Sequence, residues 1–127
     1  MFVFKQPLAQ GRTADVYLWD DHHILKLFHT WFDLGNIEYE QAIARAVHAS
    51  GVKAPAVGGI VQTNGRNGLI YERVTGDSMM DLIHRKPWRV LAYARILAHI
   101  HAQMHACKFS ADVPDQRSRL ENKIHHA

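Results

Sequence analysis

The sequence predicts an α+β fold: a five-stranded antiparallel sheet with one helix inserted between strands 3 and 4, followed by a long C-terminal helix. Three observations carry this. Residues 1–35 and 57–74 run apolar in short pieces broken by turn residues, the texture of strands. The intervening "IEYEQAIARAVHAS" has helical period, and the period is helical again from Pro87 to about Cys107.

Taken in order, the candidate strands are "FVF", "ADVYLW", "HILKLF", "GIVQT" and "GLIYERV". "DDHH" is a tight connection between the second and third. "NGRNG" joins the fourth to the fifth with the Asn-Gly pair that a hairpin turn favours, so both connections imply antiparallel neighbours. The inserted helix has Asn36 as its expected N-cap and Gly51 as its stop, with Pro55 beyond. After "TGDS" a short helix is expected at "MMDLIHR", then the long one, with Pro87 suited to its first turn. A further helix can start near Arg117.

With 127 residues, 47% of them hydrophobic, the chain can bury about two-thirds of its unfolded surface, enough for one core. No stretch approaches the roughly 18 apolar residues of a membrane span, and the apolar start is too short for a signal peptide. No membrane partner is expected. The lone Cys107 can form no internal disulfide; it reads as a small buried apolar residue rather than a catalytic thiol, and the default compartment is a reducing cytoplasm. The net charge of +3 is spread among acids rather than gathered into a stripe, which argues against a nucleic-acid partner. His101 and His105 share a helix face at zinc-ligand spacing, but no Glu follows the first and no third ligand is indicated. Packing or surface roles suit them better, and no metal site is expected.

Lys26 is the anomaly, an ammonium group inside "ILKLF". On an extended strand Ile24, Lys26 and Phe28 point one way and Leu25 and Leu27 the other, so the lysine shares a face with apolar side chains. Unpaired there, it would cost several kcal/mol or lose its proton. In the inserted helix Glu40, Ile43, Ala44 and Val47 form one inward stripe, whereas Glu38 lies about 200° of rotation away from Glu40. Glu40 is therefore the expected partner of Lys26, and breaking one side of a buried pair costs about 3 to 5 kcal/mol. The alternative is two independent charges that snorkel to water. Upstream, "QGRTADVY" has a glycine at the first connection between strands, where backbone N–H groups can approach phosphate oxygens while Lys26 supplies a point charge; the same residues also suit an ordinary hairpin turn.

"LAQGRTADVYLWDDHHILKLF", "EYEQAIARAVHASGVKAPAV" and "NGLIYERVTGDSMMDLI" together resemble the nucleotide-binding lobe of the aminoglycoside phosphotransferase family, the small-molecule branch of the protein-kinase-like fold, from about Phe4 to His105. The resemblance implies a kinase-like lobe over residues 1–76, and over 77–127 the helices that follow the hinge and begin a second lobe. It implies ATP as the bound nucleotide, with Gly11, Arg12, Thr13 and Ala14 as the phosphate loop and Val16 beside the nucleotide. Lys26 then contacts the α- and β-phosphates and Glu40 holds it in place. Tyr71 becomes the gatekeeper, and the backbones of Glu72 and Val74 the hinge that hydrogen-bonds adenine. The implied reaction is transfer of the γ-phosphate to a hydroxyl of a small polar acceptor, with Mg2+ in the complete enzyme only.

The family also calls for a His-Gly-Asp catalytic loop ending in Asn and a further Asp for magnesium. The 127 residues hold no His-Gly-Asp, and Asp112 and Asp115 lack the neighbours such a loop needs. The expectation is a truncated product, a cleaved fragment or a deliberately shortened chain, catalytically incomplete by itself. A pseudoenzyme or interaction module that uses the lobe as a binding surface is the alternative. Without the second lobe, Trp88, Leu91, Ile96 and Ile100 should be uncovered, and self-association by exchange of the long helix between copies is expected.

Overall fold

The computed structural model describes residues 5–109 and 115–125. Five antiparallel strands form one sheet: β1 (Ala9–Gln10), β2 (Ala14–Leu18), β3 (His23–Phe28), β4 (Val57–Thr63) and β5 (Arg66–Glu72), in the spatial order β1-β2-β3-β5-β4. Helix α1 (Leu34–Ala49) is inserted between β3 and β4. After β5 come α2 (Met79–Arg85), a 3₁₀ turn at Pro87–Arg89, the long α3 (Val90–Ala106) and α4 (Gln116–His125). The α+β architecture expected from the sequence, five antiparallel strands with the inserted helix and the long helix behind, is the one observed.

Several boundaries differ. The expected strand "FVF" lies outside the described residues. Within them the first strand is Ala9–Gln10, a short exposed pair with no apolar alternation to betray it. The N-cap of α1 is Asp33 rather than Asn36: Asp33 is extended and its carboxylate accepts from the Asn36 N–H at 3.3 Å. Both residue types cap well, but Asp33 stands one turn earlier and Gly35 makes room for it, since a Cβ there would sit 2.9 Å from the Asp33 carboxylate. The last strand ends at Glu72, two residues short of Val74.

Other local readings hold. Asn64 and Gly65 have φ of +52° and +72°, both left-handed as a two-residue hairpin turn requires. Gly51, with φ of +88°, follows the α1 C-cap Ser50. At the tight β2–β3 connection the Asp20 carboxylate accepts from the His22 N–H at 2.8 Å and contacts the His23 ring at 2.9 Å. These contacts, the His22 N–H first, hold the Asp20 carboxyl below the usual range.

The core lies between the sheet and α1. Ala14, Phe28, Ile37 and Leu69 are buried together, with Phe32, Val57, Ile60 and Tyr71 packed against them, and the Phe28 and Phe32 rings stack at 4.9 Å. Leu25 and Leu27, on the other face of β3, are also buried, so this strand is covered on both sides. A register shift between Val57 and Ile60 bends β4, and there the Gln41 side chain donates to the Gly58 carbonyl at 2.8 Å, fastening α1 to the sheet.

Helix α3 is different. Tyr93 is its one buried residue, under the Arg89 guanidinium, while Trp88 (76%) and Leu91 (73%) are largely exposed and Ile96 and Ile100 are exposed as well. Cys107 is half-buried and its thiol donates back to the Gln103 carbonyl at 3.4 Å. Among the described residues no helix is long and apolar enough to cross a membrane.

Candidate functional site

Register puts the site together. Across the sheet Val16 pairs with Lys26 and Lys26 with Leu69, while Ile24 pairs with Tyr71. Directly paired residues point to the same face of a sheet, so Val16, Lys26, Leu69, Ile24 and Tyr71 share the face that α1 covers. Helix α1 presents Ile37 to this face, and one turn later the same stripe carries Glu40; Glu38 is exposed, as the helical period requires.

Lys26 and Glu40 meet there. The Lys26 Nζ donates to Glu40 Oε1 at 2.7 Å and to Oε2 at 3.0 Å, and the ammonium lies 4.9 Å from the centre of the Phe28 ring. The pair is not fully buried: the two side chains remain 29% and 30% exposed, so the cost expected for a desolvated pair has to be reduced. The structure adds a third member. Tyr71 donates its hydroxyl to Glu40 Oε1 at 2.8 Å. Its phenol pKa is pushed well above the usual range, first by burial, then by the hydrogen bond to Glu40 and then by the Glu40 charge. The sequence named Tyr71 without revealing this bond, because the β3–β5 register that brings it over Glu40 has no local signal.

The glycine turn sits at the β1–β2 connection. The Gly11 N–H donates to the Ala14 carbonyl at 2.9 Å, closing the turn on itself, and a Cβ at Gly11 would lie 3.1 Å from that oxygen. Ala14 faces the core, Arg12 is exposed and Thr13 half-buried. The Gly11 amide is thus engaged inside the turn, and Arg12 and Thr13 carry the remaining amides that can address an outside oxygen. At the other end of the site Glu72 is tied to the start of β4 twice: its N–H donates to the Ala56 carbonyl at 2.8 Å, and its carboxylate accepts from the Ala56 N–H at 3.0 Å. Val74 is exposed just beyond.

Behind Glu40 a cleft of about 340 Å³ is bounded by Phe32, Tyr39, Ile43 and, from α4, Arg119, whose guanidinium lies 3.9 Å from the Tyr39 ring centre. His99, His101 and His105 are exposed along α3, and among the described residues no group of three or more His, Cys, Asp or Glu side chains is placed to hold a metal ion. The arrangement fixes the Lys26 ammonium by two hydrogen bonds on a sheet face between a glycine turn and an exposed strand end, and a partly exposed ammonium group can also meet an anionic oxygen.

No protein family and no curated protein matches this sequence. Among solved structures the chain is similar to one described as the co-crystal structure of WbdD and kinase inhibitor LY294002, at 19% identity and a TM-score of 0.38, over 65% of this chain and 21% of that one. The chain thus spans about a fifth of the length of that protein.

Proposed function

We propose that this chain is the ATP-binding lobe of a small-molecule phosphotransferase, of the kind that moves the γ-phosphate of ATP to a hydroxyl of a small polar acceptor. One observation carries the reading: Lys26 on β3 is held by Glu40 on α1 within a sheet whose first two strands are joined by a glycine turn, in the order glycine turn, strand, lysine strand, helix glutamate, hairpin. In kinase-like phosphotransferases such a pair fixes a cation against phosphate oxygens. In this reading Lys26 neutralises the α- and β-phosphates and the Arg12 and Thr13 amides hydrogen-bond them. Val16 and Ile24 pack on the base, Tyr71 bounds the pocket, and the Glu72 carbonyl and Val74 amide hydrogen-bond adenine. Residues 1–76 form the nucleotide lobe and 77–127 lead away from it.

Magnesium would neutralise phosphate charge in the complete enzyme, held by carboxylates outside these 127 residues. The chain's own contribution is to bind and orient the nucleotide, and by itself it performs no transfer. A second reading, a binding module that uses the lobe as a surface, is favoured by the exposed Trp88 and Leu91.

Isothermal titration or chemical-shift mapping with ATP, with and without magnesium, tests the proposal. The expected result is binding of about millimolar strength, the weak end of the affinity scale, little changed by magnesium and lost in Lys26→Ala. A γ-phosphate transfer assay on aminoglycosides, amino alcohols and sugars should show no turnover. Unaltered binding in Lys26→Ala would remove the nucleotide reading, and turnover by the 127 residues would remove the incomplete-lobe reading.

A further inference from the structure

A second polar cluster joins the glycine turn to the far end of the sheet, apart from the Lys26–Glu40–Tyr71 site. Asp15 on β2 is buried, Arg66 opens β5, and His29 directly follows β3. Arg66 donates from Nε to the Phe28 carbonyl at 2.8 Å, and from one terminal nitrogen to the Leu27 carbonyl at 3.0 Å and to Asp15 Oδ2 at 3.1 Å. His29 sits between this guanidinium and the turn. Its backbone N–H donates to the Thr13 carbonyl at 2.9 Å. Its ring Nε2 lies 3.3 Å from the Gly11 carbonyl, and its Nδ1 lies 3.2 Å from the Arg66 terminal nitrogen and 3.9 Å from Asp15 Oδ2. The Trp31 ring, 6.3 Å away, flanks the imidazole.

The chemistry of the two neighbours fixes the tautomer. A carbonyl oxygen can only accept and a guanidinium can only donate, so both contacts are satisfied by one form alone, with hydrogen on Nε2 and a lone pair on Nδ1. The Arg66 terminal nitrogen has two hydrogens for three acceptors, the Leu27 carbonyl, Asp15 Oδ2 and His29 Nδ1, so its bond to the ring is a shared one. The Nε2 contact to the Gly11 carbonyl is the one that the imidazole alone makes, and the bonds from Arg66 to Leu27 and Phe28 join the strands without it.

We propose that His29 is a positioning residue for the glycine turn: its ring braces the Gly11 carbonyl against the Arg66–Asp15 pair, and removal of the ring releases the brace. The consequence for nucleotide affinity rests on the proposed phosphate-binding role of the turn; the brace itself does not. A neutral hydrogen bond is worth about 0.5 to 1.5 kcal/mol, so release should weaken ATP binding about two- to tenfold.

The experiment has two arms on the whole chain. Long-range proton–nitrogen correlation spectra of the imidazoles are recorded, and the exchange protection of the Gly11 amide, which donates to the Ala14 carbonyl, is measured at one pH for the unaltered protein, for His29→Gln, whose amide can replace the donor to the Gly11 carbonyl, and for His29→Ala. ATP titrations compare the same three proteins. The expected result is the Nε2–H tautomer, with Gly11 protection and ATP affinity both lowered in His29→Ala and largely restored in His29→Gln. An Nδ1–H tautomer would overturn the proposal even if a variant failed to fold. Equal Gly11 protection in the unaltered protein and His29→Ala would also overturn it. Absence of ATP binding throughout would instead strike the nucleotide reading, and the spectra and the Gly11 amide would still decide the brace.

Discussion

Glu40 accepts from two donors at once, and that sharing sets what its loss should do. Glu40→Gln keeps an acceptor oxygen for Lys26 or Tyr71 but removes the charge that holds them together. Because both members of the ion pair are about 30% exposed, water offsets part of the loss. The destabilisation should be about 1 to 2 kcal/mol, between the exposed and the fully buried cases, against less than about 0.5 for Glu38→Gln on the solvent face. Urea denaturation of the two variants measures the difference, and equal effects would dissolve the argument from the helical stripe. In Glu40→Gln the Tyr71 phenol should titrate at lower pH than in the unaltered protein, since the hydrogen bond to a carboxylate and its charge are gone while burial remains. Absorbance of the phenolate against pH reads this directly.

At the scale of elements, β5 shows how close the packing is. Gly68 is buried opposite Leu27, and a Cβ there would meet Leu25 Cδ1 at 2.6 Å, Leu27 Cδ1 at 3.3 Å and the Lys26 carbonyl at 3.3 Å. Leu25 and Leu27 are almost completely buried and have little room to yield. Gly68→Ala should therefore cost about 1 to 3 kcal/mol, the usual penalty of overpacking. It should also disturb Lys26 through the strand that carries it. Gly59→Ala, where no atom lies within 4 Å of the added carbon, is the control for the entropic effect of replacing a glycine. Similar thermal midpoints for the two variants would mean that β3 moves aside. The sequence marked Gly68 as the end of a hairpin connection and the start of a strand without showing what it meets, because whether a strand glycine faces open space or another strand's leucines depends on a pairing far away in the chain.

For the whole molecule, the uneven distribution of cover is the main feature. The sheet and α1 enclose a core, while α3 exposes Leu91, Ile96, Leu97 and Ile100, with Trp88 just before it. Apolar patches beyond a few hundred Å² tend to find partners, and a stable interface needs about 800 Å² from each side. Self-association through α3 is expected, with exchange of the helix between copies as the geometry that covers most of it. Light scattering across the micromolar range should show mass rising with concentration, and Ile100→Glu should suppress the rise. A strictly monomeric protein at high micromolar concentration would count against it.

The sequence alone determined the order and type of the elements from β2 onward and the inward side of α1, because these depend on local period and turn chemistry. Asn64-Gly65 adopts the left-handed pair that only such residues take easily, and the stripe through Glu40 follows from 3.6 residues per turn. It also pointed from Lys26 to Glu40, since one apolar face cannot hold two unanswered charges. Only the tertiary structure decided the rest. The Tyr71 hydroxyl reaches Glu40, and Arg66 reaches Asp15 and His29, through the β3–β5 register, which joins residues 41 (Leu27 to Gly68) to 49 (His23 to Glu72) positions apart. Asp33, not Asn36, is the cap, with extended backbone and with Gly35 leaving room for its carboxylate. The partial exposure of the ion pair could not be read from composition either, because it depends on how much of the face α1 covers. Local period specifies which way a side chain points within its own element; which groups it meets there is set by contacts that form only when distant strands pair.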